Sequence, residues 1–216
     1  MLSSYSKVGI ITYYIVIAFL SLTIRSHSNN RIKEDIIKGI LNNFLVKPVR
    51  YILVMLLHEA SYKIFSLIFV LPLMIIIYLF FNQYIVFPGS ATQILLFLIS
   101  LILSFILSIF IEFILGFSSF WLGENSGPQQ FNFVLESVFS GRLAPLVFFP
   151  GILQIVANYF PYKYIFYFPV QIYLGQIEGM DILFGFLITI IWITFLGGII
   201  TLMWKKGLRK YEGVGI

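Results

Sequence analysis

The sequence predicts an all-α, polytopic helical membrane protein that forms a single transmembrane domain. Of its 216 residues, 60% are hydrophobic and only 11% are charged, whereas soluble domains carry about 25% charged residues. The apolar runs are continuous rather than alternating, which favours membrane-spanning helices over the strands of a β-barrel. A helix needs about 20 apolar residues to cross the bilayer, and this criterion predicts five spans, at about residues 8–24, 62–82, 94–122, 129–149 and 182–204.

The basic residues predict the orientation of these spans. Six Lys and Arg residues lie between the first and second spans, and four follow the last span. Positive charge accumulates on the cytoplasmic side of membrane proteins, and four crossings separate the two groups, so five spans place both groups in the cytoplasm. We therefore expect a multi-pass protein of the plasma membrane with a cytoplasmic C-terminus. The N-terminus is expected outside, without a signal peptide, and the net charge of +5 is attributed to topology rather than to nucleic-acid binding.

An amphipathic helix is predicted at about residues 31–43. Isoleucines recur every four residues from Ile32 to Ile40, and Lys33, Glu34 and Lys38 occupy the remaining face. Such a helix could lie in the lipid headgroup layer or dock a soluble partner, and its residues alone leave both roles open.

The stretch at about residues 143–169 is apolar but contains four prolines, so no straight helix fits it. It predicts short helical pieces, such as Ile152–Phe160, that dip back into the outer leaflet. Irregular backbone at that depth must pack on protein or line a wet cavity. Pro145 and Pro150 are therefore candidate gate residues, with an interfacial cap that holds the spans together as the alternative.

Besides Lys63 at the edge of the second span, three charged residues fall inside the predicted spans: Glu112, Glu136 and Arg142. Charged residues inside a membrane are functional candidates, and these three are predicted to belong to a pathway or gate, with Glu112 near the inner border of the hydrocarbon. Glu136 and Arg142 are six residues apart, about 240° around a helix. On one continuous helix they cannot pair, so each is expected to meet another span or a partner subunit.

Catalytic residues, cofactors and metal ligands are not predicted. The chain has no cysteine, and the sequence His58-Glu59 begins a zinc-protease HExxH motif in which Tyr62 replaces the second histidine. The phosphate-binding pattern GxxxxGK[ST] is also missing, so any ATP hydrolysis would reside in a separate subunit.

Several ordered patterns resemble the permease subunits of type-2 ATP-binding-cassette (ABC) transporters of bacteria. They are FLVKPV at 44–49, FWLGE at 120–124, SGR at 140–142, PLVFFPG at 145–151, YFPVQIYLGQ at 167–176 and the terminal WKKGLRKYEGVGI. The resemblance implies six spans, a cytoplasmic coupling helix between the second and third, and short re-entrant helices before the last. On that pattern, this chain is expected to lack the first span.

The resemblance also implies a function: an ATP-driven exporter of an apolar or amphipathic substrate, built from two permease subunits and a cytoplasmic ABC ATPase. The coupling helix would contact the ATPase through Glu34, Asp35, Ile36, Lys38 and Gly39. The alternative is a stand-alone ion-coupled secondary transporter or channel, for which Glu136 would be essential. A membrane-anchored structural protein without transport activity is a third possibility.

Overall fold

The computed structural model describes residues 6–211; residues 212–216 of the terminal motif lie outside this range. The described part is all-α, as the sequence predicts, and it contains no strand. Its helices are α1 (Lys7–Thr23), α2 (Ser28–Ile37), α3 (Asn42–Leu45), α4 (Tyr51–Phe81), α5 (Ala91–Phe117), α6 (Ser119–Leu122), α7 (Ser126–Phe139), α8 (Gly151–Tyr159), α9 (Tyr167–Tyr173) and α10 (Met180–Lys210).

Four helical segments of the described part are long and apolar enough to cross a bilayer, one fewer than predicted. They are Lys7–Ile37, Tyr51–Tyr84, Ala91–Leu122 and Met180–Lys210. The first segment contains both α1 and α2, which are separated by the short non-helical link at residues 24–27.

The two basic groups lie at the same end of the bundle, which we call the α2 end. Tyr51 stacks on Trp204 with ring centroids 5.2 Å apart. The rings of Phe120 and Tyr211 lie 6.0 Å apart at the same end. We call the opposite end, where α4 ends and α5 begins, the far end.

The predicted fourth span, at residues 129–149, is not a single helix. α7 has 14 residues and ends at Phe139, because Gly141 adopts a left-handed conformation with φ of 76° and prolines follow. The chain still passes between the two ends. Before α7, Glu124 pairs with Lys33 of α2 at 3.2 Å; after it, the carbonyl of Tyr173 accepts a hydrogen bond from Gln93 at the far end, at 2.9 Å. This passage is therefore made by a short helix and a series of turns.

The amphipathic helix predicted at residues 31–43 is also interrupted. α2 ends at Ile37, and Gly39 has a φ of 71°, a left-handed conformation that glycine adopts without steric cost and that commonly ends helices. As a result the isoleucine repeat does not form one face: Ile32 and Ile36 are buried, whereas Ile40 is exposed.

We call the stretch between α7 and α10 the re-entrant segment, because its chain turns back into the bundle after α8. α8, at Gly151–Tyr159, lies within one residue at each end of the predicted piece. The following 3-10 turn goes deep into the bundle, where Ser104 donates a hydrogen bond to the carbonyl of Tyr164 at 2.9 Å. Ser104 lies about 20 Å along α5 from the far end, so this segment reaches beyond the middle of the ~30 Å hydrocarbon layer.

Candidate functional site

Four charged residues from distant parts of the chain meet inside the bundle. Arg25 follows α1, Glu112 belongs to α5, Glu136 belongs to α7, and Arg142 lies in the turn after α7; we call them the charged cluster. A helix crosses the hydrocarbon layer in about 20 residues. About 20 residues from the start of α5, which lies at the far end of the bundle, lead to the region of Glu112. We therefore expect the cluster to lie at the hydrocarbon border nearest the α2 end.

Glu136 is the centre of this cluster. Its Oε1 atom lies 3.2 Å from Nη1 of Arg142 and 3.7 Å from Nε of Arg25, and its side chain is only 9% exposed. The pairing with Arg142 contradicts the prediction that these two residues cannot meet. That prediction assumed a continuous helix, whereas α7 ends between them and the chain reverses at Gly141.

The turn that permits this pairing is held by other elements. Tyr13 donates a hydrogen bond to the carbonyl of Gly141 at 2.6 Å, and the backbone N–H of Tyr167 donates to the carbonyl of Ser140 at 3.0 Å. A Cβ atom at Gly141 would lie 2.8 Å from the Tyr13 hydroxyl oxygen. Glycine is thus required by both the conformation and the space.

Glu112 faces the same space as the ion pairs. Its Oε2 atom accepts a long hydrogen bond from the backbone N–H of Asn29, at 3.4 Å. Glu112, Arg25 and Glu136 line one narrow crevice, which extends to Tyr162 of the re-entrant segment. The three ionisable residues singled out from the sequence therefore belong to one region.

A polar cavity of about 390 Å³ opens beside the charged cluster, within the size range of small-molecule sites. Asn29 is only 2% exposed, and its side-chain Oδ1 atom has no hydrogen-bond partner. Asn132 is engaged, since its Oδ1 atom accepts a hydrogen bond from Tyr162 at 2.7 Å. We call the cavity the amide pocket because its lining includes four side-chain amides; the lining residues are Arg25, His27, Asn29, Glu112, Ser126, Gln129, Gln130, Asn132 and Phe133.

The two candidate gate prolines lie away from this pocket. Pro145 is buried and precedes the 3-10 turn Leu146–Phe148, whereas Pro150 is exposed and precedes α8. Both prolines shape the re-entrant segment, and neither lines the amide pocket.

The five predicted ATPase contacts separate into two groups. Glu34 and Lys38 are exposed and pair with each other at 3.2 Å. Asp35, Ile36 and Gly39 are buried, and Asp35 accepts a hydrogen bond from the hydroxyl of Tyr51 at 2.8 Å. These three residues pack inward because α2 uses that face against α4 and α5, so they are not available to a partner in this conformation.

A set of exposed apolar side chains lies beside these residues, and we call it the apolar surface. Its exposed fractions range from 37% at Ile40 to 82% at Val46. The sequence does not reveal this surface, because the predicted helix extends to residue 43 and places the isoleucines on one face. The apolar surface comprises Ile37, Ile40, Leu45, Val46 and Val49.

Helix α2 is attached to its neighbours by polar contacts. Ser28 donates a hydrogen bond to Oε2 of Glu59 on α4 at 2.9 Å, and Lys63 of α4 donates to the carbonyl of Arg25. At its exposed side, the hydrogen bond from Lys33 lowers the pKa of the Glu124 carboxyl, as do the backbone N–H groups that follow it. These contacts join α2 to α4 and to the loop after α6.

A family model described as "ABC-2 family transporter protein" matches residues 1–215 of the chain. No curated protein and no solved structure gives a significant match.

Proposed function

Because the chain belongs to the ABC-2 family of transporter proteins, we propose that it is the permease subunit of an ATP-driven exporter whose ATPase binds at the α2 end. Family membership makes the chain a membrane subunit of an ABC transporter, and its four apolar helical segments fit a multi-pass protein. We further propose that two permease subunits pair in the plasma membrane. The α2 end, with the C-terminus, would face the cytoplasm.

The apolar surface is the observation that carries this proposal. α4 has 31 residues, about 45 Å, which exceeds the ~30 Å hydrocarbon layer. Its uncharged part begins after Lys63, so the residues that precede α4 lie outside the hydrocarbon. Exposed apolar patches in water mark interaction sites, and an ATPase bound here would cover Ile37 and Val46.

The contacts of α2 would transmit movement from the ATPase to the interior. α2 packs closely on α5, since a Cβ atom added at Gly116 would lie 2.6 Å from Cβ of Ile32. It is also bonded to α4 through Asp35 and Tyr51. We infer that displacement of α2 moves α4 and α5 with it and shifts Arg25 relative to Glu136.

An apolar cavity supports an apolar or amphipathic substrate. The cavity has a volume of about 550 Å³ and lies between α1, α4, α5 and α9. Its walls are almost entirely apolar, with Phe19, Met74, Tyr78 and Phe97 among the larger contributors. Such a space suits an alkyl chain or a flat apolar molecule better than an ion.

The substitution Val46→Asp tests the ATPase-binding surface. A carboxylate at the most exposed apolar position would have to be desolvated in the complex, so we expect about a tenfold loss of affinity, equivalent to ~1.4 kcal/mol. The measurement is co-purification of the partner ABC ATPase after co-expression.

Ile152→Asp is the matched control, because Ile152 is 76% exposed on α8 and α8 packs on the 3-10 turns before and after it. This variant should retain the ATPase at the wild-type level, and membrane insertion of both variants should be verified. Equal recovery of the ATPase with wild-type chain and Val46→Asp would exclude docking at the apolar surface.

A further inference from the structure

We propose that the amide pocket binds the uncharged, hydroxyl-rich head group of an amphipathic molecule. This inference deepens the proposed function and rests on it, because an exporter must accept its substrate from the side where the ATPase binds. The pocket lies at that end, and residues of α7 and of the link between α1 and α2 form most of its wall.

The unpaired side chain of Asn29 indicates a ligand with hydrogen-bond donors. Its Oδ1 atom is buried without a partner, which is unfavourable unless a donor satisfies it. The backbone N–H of the same residue donates to Glu112, so Asn29 is held in place independently of its side chain. Asn29 lines the pocket, so a rotation of its side chain toward the cavity would let a ligand hydroxyl supply the missing hydrogen bond.

The charges of the lining argue against an ionic ligand. The guanidinium of Arg25 lines the pocket and would repel an ammonium group. Its positive charge is already paired with Glu136, 3.7 Å away, so a phosphate would find that charge compensated. Cation capture by the ring of Phe133 is also disfavoured, because the guanidinium carbons of Arg25 and Arg142 already lie 6.0 and 5.7 Å from its centroid.

Hydroxyl groups match the remaining lining. A hydroxyl both donates and accepts, and a side-chain amide offers two donors and one acceptor oxygen. A sugar-like head group can therefore donate to Asn29 and Glu112 and accept from Gln129 and Gln130. The lining suits such a ligand better than an apolar group, which would offer no hydrogen bond to Asn29, Gln129 or Gln130.

A second set of exposed apolar side chains, on α7 beside the pocket, fits the rest of an amphipathic molecule. Phe133 lines the pocket and is 48% exposed, and Phe131 and Val134 of the same helix are 67% and 55% exposed. Because α7 lies at the hydrocarbon border, an alkyl chain could extend from the pocket along these residues into the lipid.

The test is direct binding to the full chain in lipid nanodiscs without ATPase. Radiolabelled octyl glucoside, octyltrimethylammonium and octyl phosphate share one alkyl chain and differ in the head group. Binding to empty nanodiscs is subtracted to remove partitioning into lipid. We expect saturable binding of octyl glucoside and no saturable binding of the two charged probes.

Asn29→Leu removes the unpaired acceptor and should weaken octyl glucoside binding about tenfold. Asn30→Leu is the matched control, because Asn30 is the neighbouring residue of α2, is exposed and does not line the pocket; its affinity should equal that of the wild type. Gln129→Leu alters the wall formed by α7 and should also weaken binding, so the test survives if Asn29→Leu fails to fold.

Three results would overturn the inference: no saturable octyl glucoside binding to the wild-type chain, stronger binding of either charged probe, or unchanged affinity in folded Asn29→Leu and Gln129→Leu. The assay contains no ATPase, so it can fail while Val46→Asp still abolishes ATPase binding. The reverse outcome is equally distinct, since the pocket could bind the glucoside in a chain that recruits no ATPase.

Discussion

Helices α4 and α5 are both long and strongly apolar, yet they pack in opposite ways. In the most apolar stretch of each segment, 39% of the α5 residues are buried and only 6% of the α4 residues. α5 presents Ser100, Ser104 and Ser108, one every four residues and all buried. Lipid is as apolar as a leucine side chain, so helices in a bilayer associate through small residues and hydrogen bonds rather than through hydrophobicity.

The part of α4 near the α2 end supports the same conclusion. There the buried residues Tyr51, Met55, Glu59 and Lys63 also recur every four residues, and three of them carry polar groups. Beyond Lys63, α4 exposes large apolar side chains, and Val70 is the one buried residue in this part of the helix. This exposed part of α4 is suited to contact with lipid or with a second permease subunit.

The largest loss of stability is expected from Ser104→Leu, on the buried face of α5. Leucine would remove the hydrogen bond to Tyr164 and add two carbon atoms to a close contact, at a cost of about 2–3 kcal/mol. Thermal unfolding of the purified chain in detergent measures the loss. The control is Phe69→Ala on α4, which is 66% exposed and should change stability by less than about 0.5 kcal/mol. Equal losses in the two variants would contradict the contrast.

A smaller effect is expected from Gly116→Ala on α5. The added Cβ atom would lie 2.6 Å from Cβ of Ile32, so α2 must shift, at a cost of about 1–2 kcal/mol. Gly198→Ala on α10 is the same change in a helix where nothing lies within 4 Å; it should stabilise the chain by up to about 1 kcal/mol through helix propensity. Stabilisation by both variants would show that close packing at Gly116 is unimportant.

The sequence predicts the apolar helices well because length and hydrophobicity define them directly. It also predicts that the two basic groups lie at one end of the bundle. The predicted first and last residues of α8 each differ by one residue from those observed. The breaks at Gly39 and Gly141 were not predicted, since an isolated glycine within an apolar stretch does not reveal whether its φ is positive. Both errors have consequences. Without the break at Gly39 the apolar surface was not predicted, and without the break at Gly141 the ion pair between Glu136 and Arg142 was not predicted.

The amide pocket lies beyond sequence reasoning for a different reason. Asn29, Glu112 and Gln129 are distant in the chain, and each alone is an ordinary polar residue at a helix end or border. Only the packing of α2 and α7 beside α5 brings them together. The row of serines in α5 is different, because its four-residue spacing is visible in the sequence and could have predicted the face on which α5 packs.

In the proposed complex, an ATPase binds the apolar surface on the cytoplasmic side. The chain has no cysteine, so Val46→Cys introduces a single thiol that a membrane-impermeant maleimide can label in inside-out vesicles. We expect rapid labelling without the ATPase and at least about tenfold slower labelling once it is bound. Labelling only in right-side-out vesicles, or at the same rate with and without bound ATPase, would contradict the claim.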